Sequence, residues 1–319
     1  MFVFILLPPQ LIKLINPINL ITLSYELIEP RPILDDITIV IPTLGRPTLE
    51  NCLKSIAEGS CWPEQIIVVD QGSNPEVSNW LNSLKTFGIP VFHISSSQHG
   101  RASAVNRGFE KLETLFVAVT DDDCFVDIDW LKNMAKRLSE NPDSIITGRV
   151  DPAGDHEVMA VVRRNHPAIY LRPGLKFDPM SGGNMGTSFD VIERVGFFDE
   201  DPRLRCAEDG EWAYRALRSG VPIVYAPEVS LEHHGWRNKN QRIDQYRTYA
   251  RSHGAFYGKY LRKGDWFIAL RAFVHHLRAF KRLLRGRFNG NQEQALLGRS
   301  YVTGLLPGII AGFGKAKVQ

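Results

Sequence analysis

Apolar positions in the first half of the chain fall into short unbroken runs separated by amphipathic stretches. Residues 37–41 are a largely β-branched run ended by Pro42, which predicts a strand buried on both faces. Residues 47–58 open on a proline and then follow a helical period. The alternation repeats, predicting strands over 65–69, 91–94 and 115–119 and helices over 75–85, 102–112 and 130–138. That order builds a mainly parallel sheet with helices on both faces. The second half is less regular. Residues 180–188 are Gly-rich, a helix is predicted over 209–219 and a strand over 221–225, with His233-His234 after it. No internal repeat interrupts the pattern.

Ligands of such sheets sit beyond the carboxyl ends of the strands. Three polar clusters fall there: Pro42-Thr43, Asp70-Gln71-Gly72-Ser73 and Asp121-Asp122-Asp123. This coincidence of position is the first pointer to function.

Charge divides the chain. The formal net charge is +3, yet residues 237–290 hold fourteen Lys or Arg against Asp244 and Asp265. That stretch is therefore +12 and the remainder −9. Within it Trp266, Leu270, Phe273, Val274, Leu277 and Leu284 recur near helical spacing, with Arg271, Arg278, Lys281, Arg282 and Arg285 between them. This predicts a basic amphipathic helix, which either lies on an anionic membrane or packs on the rest of the chain with its arginines solvated. Basic and aromatic residues form no recognisable nucleic-acid motif. Residues 301–313 are apolar but contain Pro307 and several glycines, and read as too short to span a bilayer. The expected organisation is an apolar extension over 1–36, an α/β domain over 37–236 and a basic helical region over 237–319.

Cys52, Cys61, Cys124 and Cys206 lack zinc spacing and are too few for a disulfide framework, which suits a reducing, cytoplasmic setting. Residues 1–28 are apolar but broken by Pro8, Pro9 and Pro17, with no basic segment before them. They read equally as a membrane contact, a disordered extension or a misassigned start.

The chemistry-bearing residues each have a plain alternative. Adjacent Asp121, Asp122 and Asp123 repel one another unless a cation or donors neutralise them, and hard carboxylate oxygens suit Mg²⁺ or Mn²⁺; a solvated acidic turn is the alternative. In an extended turn Asp121 and Asp123 face one way and Asp122 the other. Asp70 can accept from a nucleobase or ribose, or simply close a turn. Residues 100–108, with Arg101, Arg107 and small side chains at a helix start, suit an anion. Glu208-Asp209 at a helix start is a general base or a cap. His233-His234 is a metal or diphosphate contact or an exposed turn.

Taken in order, these segments resemble the inverting family 2 glycosyltransferases of the GT-A fold, Rossmann-like α/β proteins. The resemblance is carried by Ile39-Val40-Ile41-Pro42-Thr43, Val68-Val69-Asp70-Gln71-Gly72-Ser73, and residues 100–108 with Asn106. It continues through Asp121-Asp122-Asp123, Asp129-Trp130-Leu131, Gly183-Asn184, Val195-Gly196-Phe197-Phe198-Asp199-Glu200, Glu208-Asp209, Gly220 and His233-His234. It implies an inverting hexosyl or deoxyhexosyl transferase using a nucleotide-sugar donor, a divalent metal (Mg or Mn) and a glycan or lipid-linked acceptor, as in cell-envelope polysaccharide synthesis. In this resemblance Pro42, Thr43, Asp70, Arg101, Asn106, Asp121 and Asp122 bind the donor. Asp121 and Asp123 form the Asp-x-Asp metal pair with His234 or its neighbour His233, and Asp209 is the catalytic base. Gln71 and Thr120 depart from the family pattern, where Asp and Leu are common, and bear on donor identity. A nucleotidyltransferase of related topology and a non-catalytic scaffold derived from such an enzyme are the competing readings. Peripheral contact with the inner face of the cytoplasmic membrane is expected.

Overall fold

The computed structural model describes residues 31–85, 88–154, 161–176 and 178–314. The expectations for residues 1–28 lie outside the described residues. The elements run β1 (Ile33–Thr43), α1 (Thr48–Ala57), β2 (Trp62–Asp70), α2 (Glu76–Lys85), β3 (Val91–Ser95), α3 (Arg101–Phe109), β4 (Phe116–Thr120), β5 (Cys124–Val126) and α4 (Trp130–Glu140). They continue with β6 (Ile145–Ala153), β7 (Ala168–Tyr170), β8 (Asn184–Ser188), α5 (Phe189–Val195), α6 (Glu208–Arg218) and β9 (Ile223–His234). Three long helices close the described chain: α7 (Lys239–Arg262), α8 (Trp266–Phe288) and α9 (Gln292–Phe313).

The sheet order is β3-β2-β1-β4-β8-β6-β9-β5, with β7 also on β9. Strands β1 to β4 pair in parallel, and β8 enters antiparallel between β4 and β6. The fold is thus mixed α/β, parallel in its first half as the hydrophobic pattern predicts. Alternate residues of β1 face opposite layers: Ile37, Ile39 and Ile41 pack with α1, α2 and α4, whereas Val40 packs with α3, α5 and α6. Burial on both faces explains why these strands read as continuous apolar runs. A third apolar cluster joins α7, α8 and α9 to Leu204, Ala207 and Tyr214.

Helix α9 extends well beyond the predicted apolar stretch and carries Pro307 within it. It lies so close to α7 that glycine is required along the seam. A Cβ on Gly254 would overlap the Leu305 carbonyl, and one on Gly308 or Gly312 would overlap the carbonyls of Arg251 and Ala255. By length and composition α9 is the one helix among the described residues able to cross a membrane, with a mean hydropathy of 1.2. Helix α8 forms as predicted and runs on to Phe288.

Candidate active site

The parallel strands deliver their carboxyl ends to one cavity of about 420 Å³. Pro42 and Thr43 reach it from β1, and Asp121, Asp122 and Asp123 from the turn between β4 and β5. The turn before β8 contributes Ser181, Gly182 and Gly183, the start of α6 contributes Glu208 and Asp209, and the end of β9 contributes His233 and His234.

Each of the three aspartates has its own partner. Asp121 accepts from Arg101 Nε at 2.7 Å. Asp122 is 1% exposed; it accepts from Thr43 Oγ1 at 2.6 Å and from Arg46 at 2.5 Å. Burial pushes its carboxyl up to about 6 against the pull of Arg46. Asp123 accepts from Trp236 Nε1 at 2.9 Å and lies 3.5 Å from His233 Nε2. Burial opposes its charge, but the contacts with His233 and Trp236 outweigh burial and hold its carboxyl down to about 2. Strand pairing sets this geometry, because β5 runs antiparallel to β9 with Cys124 opposite His233.

Arg101 is central. It bonds Asp121, and its Nη1 lies 3.9 Å from Glu208. Its two terminal nitrogens and Glu208 Oε2 are buried with no hydrogen-bond partner among the described residues. Such orphaned groups mark a place where a polar ligand belongs. Glycine makes room for the guanidinium: a Cβ on Gly183 would stand 2.8 Å from Asp121 Oδ2, and one on Gly182 3.0 Å from Arg101. Asp209 accepts from Gly182 N at 3.2 Å and Gly210 N at 2.7 Å. Burial raises both carboxyls of the Glu208-Asp209 pair, Glu208 to about 8 with repulsion from Asp209 adding, Asp209 with repulsion from Asp178 adding, and Arg101 opposes both shifts.

The donor set fits a divalent cation. Asp123, Cys124 and His233 offer ligand atoms within 4.8 Å of one another. Carboxylate oxygen and imidazole suit Mg²⁺ or Mn²⁺ and their borderline relatives. The Cys124 sulfur is a soft ligand, poorly matched to hard Mg²⁺ or Mn²⁺. His234 is not in this cluster: its ring stacks on Phe125 at 3.8 Å and its Nε2 faces Glu232 at 3.2 Å.

The sequence model of Glycosyl transferase family 2 matches residues 38–196. The chain belongs to glycosyltransferase family 2. Its relatives within reach of alignment include the O-antigen chain rhamnosyltransferase RfbN of Salmonella typhimurium, 27% identical over 62% of this chain. Glycosyltransferase AglE of Haloferax volcanii is 22% identical over 60% of this chain. The matches take in 66% and 65% of those relatives' own length, just under two thirds. A mannosyltransferase from Pyrobaculum calidifontis, solved with GDP-Man and Mn²⁺, superposes with a TM-score of 0.60 at 18% identity, covering 92% of this chain and 93% of that one. TarS of S. aureus follows with a TM-score of 0.53 at 14% identity, covering 84% of this chain and 92% of that one. The fold is GT-A with a C-terminal helical region.

In this family 2 chain two expected donor residues stand outside the cavity lining. Asp70 is buried beside it, accepting from Gly72 N at 2.8 Å and lying 3.4 Å from His93. Asn106 is buried on α3 and ties down the segment after α5, accepting from Phe198 N and donating to Phe198 O and Glu200. Gln71 does what aspartate could not, because its amide donates to the Gln98 and Gly100 carbonyls and accepts from Gly100 N, fixing the turn that opens α3. Sequence reasoning missed Arg46 and Trp236, which stack with each other at 4.6 Å and hold Asp122 and Asp123. Their only sequence signal is proximity to Thr43 and His234. Cys52, Cys61, Cys124 and Cys206 are all free thiols.

Proposed function

We propose that this family 2 chain transfers a hexosyl or deoxyhexosyl group from a nucleoside-diphosphate sugar to a hydroxyl of a glycan or lipid-linked acceptor, with inversion at the anomeric carbon. The observation that carries this reading is the convergence of Asp121, Asp123, Arg101 and Asp209 on one cavity. The buried, unsatisfied nitrogens of Arg101 suit the donor's phosphate oxygens. Pro42, Thr43 and the Asp122-Arg46 pair form the wall at the end of β1 against which a nucleoside would lie. Asp209, held by two backbone N–H groups, takes the proton of the acceptor hydroxyl as that oxygen attacks. The raised proton affinity of Asp209 favours that role. A divalent cation at Asp121 and Asp123, with His233 as neighbour, supplies positive charge against the leaving diphosphate when bound.

The same proposal includes peripheral contact with the cytoplasmic membrane face. Trp266, Leu270, Phe273, Leu277, Phe280, Leu284 and Phe288 are all exposed along one side of α8. Their spacing of three or four residues gives a continuous apolar stripe bordered by arginines, which suits an anionic lipid surface.

The test is binding of a panel of nucleotide sugars with and without Mn²⁺ or Mg²⁺, comparing native protein with Asp123→Ala. Metal-dependent binding of one donor, lost in the variant, is the expected result. No binding of any donor with either metal would overturn the proposal.

A further inference from the structure

A second cavity, of about 680 Å³, opens between α7, α8, α9 and the residues Leu175, Lys176 and Asp178. Six cationic side chains line it against the single carboxylate of Asp178. That carboxylate is already committed, since buried Arg271 donates to it. Arg278, Lys281, Arg282 and Arg285 have no carboxylate partner among the described residues. They follow one another at short intervals on α8, where like charges repel. The floor beneath them is polar and fixed: Tyr257 and His275 share a hydrogen bond of 2.9 Å, and Tyr301 and His253 one of 3.3 Å. A concave site of this volume with convergent arginines and fixed hydroxyls is built for a compact anion with several oxygens.

Its position ties it to the catalytic cavity. Tyr249 lines the catalytic cavity, and His253, one turn further along α7, lines the second; His253 Nδ1 lies 2.9 Å from the Tyr249 carbonyl. Asp178, on the wall of the second cavity, sits against Gly210, next to Asp209: a Cβ there would stand 3.0 Å from its carboxylate. The apolar stripe of α8 lies on the side of that helix away from Arg271, Arg278, Arg282 and Arg285, so one helix faces both an apolar and a polyanionic environment.

We propose that this cavity holds the phosphate or diphosphate group of the acceptor, placing the sugar attached to it toward Asp209. The inference rests on the transferase reading for the identity of the acceptor, and on the second cavity alone for the anion. The same chemistry is offered by a lipid-borne diphosphate and by a free one.

Titration calorimetry of the full chain in EDTA, with inorganic pyrophosphate and separately with farnesyl diphosphate, tests it. Native protein is expected to bind one equivalent. Arg282→Ala/Arg285→Ala, at exposed positions that leave the fold intact, weakens binding roughly ten- to a hundredfold, as expected for lost charge-assisted hydrogen bonds. Lys136→Ala, an exposed cation on α4 outside both cavities, leaves binding unchanged. Tighter binding of the prenyl compound than of pyrophosphate assigns the anion to a lipid acceptor; equal binding assigns it to a free anion. Absent binding in native protein, or equal affinity in the double variant, overturns the proposal. So does a matching loss in Lys136→Ala. Nucleotide-sugar binding is measured in the same preparation with metal restored, so failure of the transferase reading registers separately from failure of the anion site.

Discussion

In an Asp209→Asn variant the side chain keeps its shape but can no longer take a proton. The native carboxylate accepts two backbone N–H bonds, from Gly182 and Gly210. Asparagine retains one and turns its amide toward the other donor, a loss of about 1–3 kcal/mol in stability. The chemical step suffers more: removal of a general base costs ~100- to 10,000-fold, or about 3–5 kcal/mol in the barrier. Donor hydrolysis, with water as acceptor, reads the chemistry by release of nucleoside diphosphate, while calorimetry reads donor affinity and thermal melting reads stability. Burial raises the carboxyls of both Asp209 and Glu208, the latter to about 8. The active form is the ionised one, and a raised carboxyl loses its charge earlier on acidification, so hydrolysis falls at a pH above that at which a free aspartate protonates, about 3.9. Asp209→Asn turnover within tenfold of native, with donor binding intact, would refute the assignment, as would a flat native profile between pH 5 and 9.

Two further outcomes are expected. His233→Ala weakens metal-dependent donor binding by an order of magnitude or more, whereas His234→Ala changes it by less than threefold, because His233 lies at Asp123 and His234 stacks on Phe125; equal effects in a calorimetric titration of Mn²⁺ would contradict the ligand set. Leu277→Asp/Phe280→Asp on the exposed side of α8 strongly reduces co-sedimentation with vesicles containing anionic lipid while leaving donor affinity unchanged; retained sedimentation would place the membrane contact elsewhere or nowhere.

The legibility of this fold in its sequence follows burial. Strands β1, β2 and β4 are covered on both faces, so their apolar runs announce them. Strand β8 is also wholly buried, yet it reads Asn-Met-Gly-Thr-Ser and carries no hydrophobic signal. Its polar groups are satisfied over long range: Asn184 accepts from Trp130 Nε1 and donates to the carbonyls of Arg149 and Val229. No local pattern encodes such partners. Strand β9 runs on through Pro227 and Glu228 to include His233 and His234, because a register shift against β6 at Gly148/Arg149 absorbs the interruption. The strand-end aspartates and the Glu208-Asp209 step were visible as residue types in order. Arg46 and Trp236 were not, since only the closed sheet brings residues so far apart onto Asp122 and Asp123. Asn106 stood out in the sequence as a donor residue, whereas in the fold it braces residues 198–200.

The glycine seam between α7 and α9 changes what the hydropathy of α9 means. A helix that enters a bilayer must shed its neighbours or take them along. Here the two backbones touch, and α7 carries Arg251 and Lys259 beside the seam. Drawing both into hydrocarbon would cost about 5–7 kcal/mol for those two charges alone. The apolar length of α9 is therefore spent on its partner, and a chain cut before Gln292 would bare the glycine face of α7 rather than release an anchor.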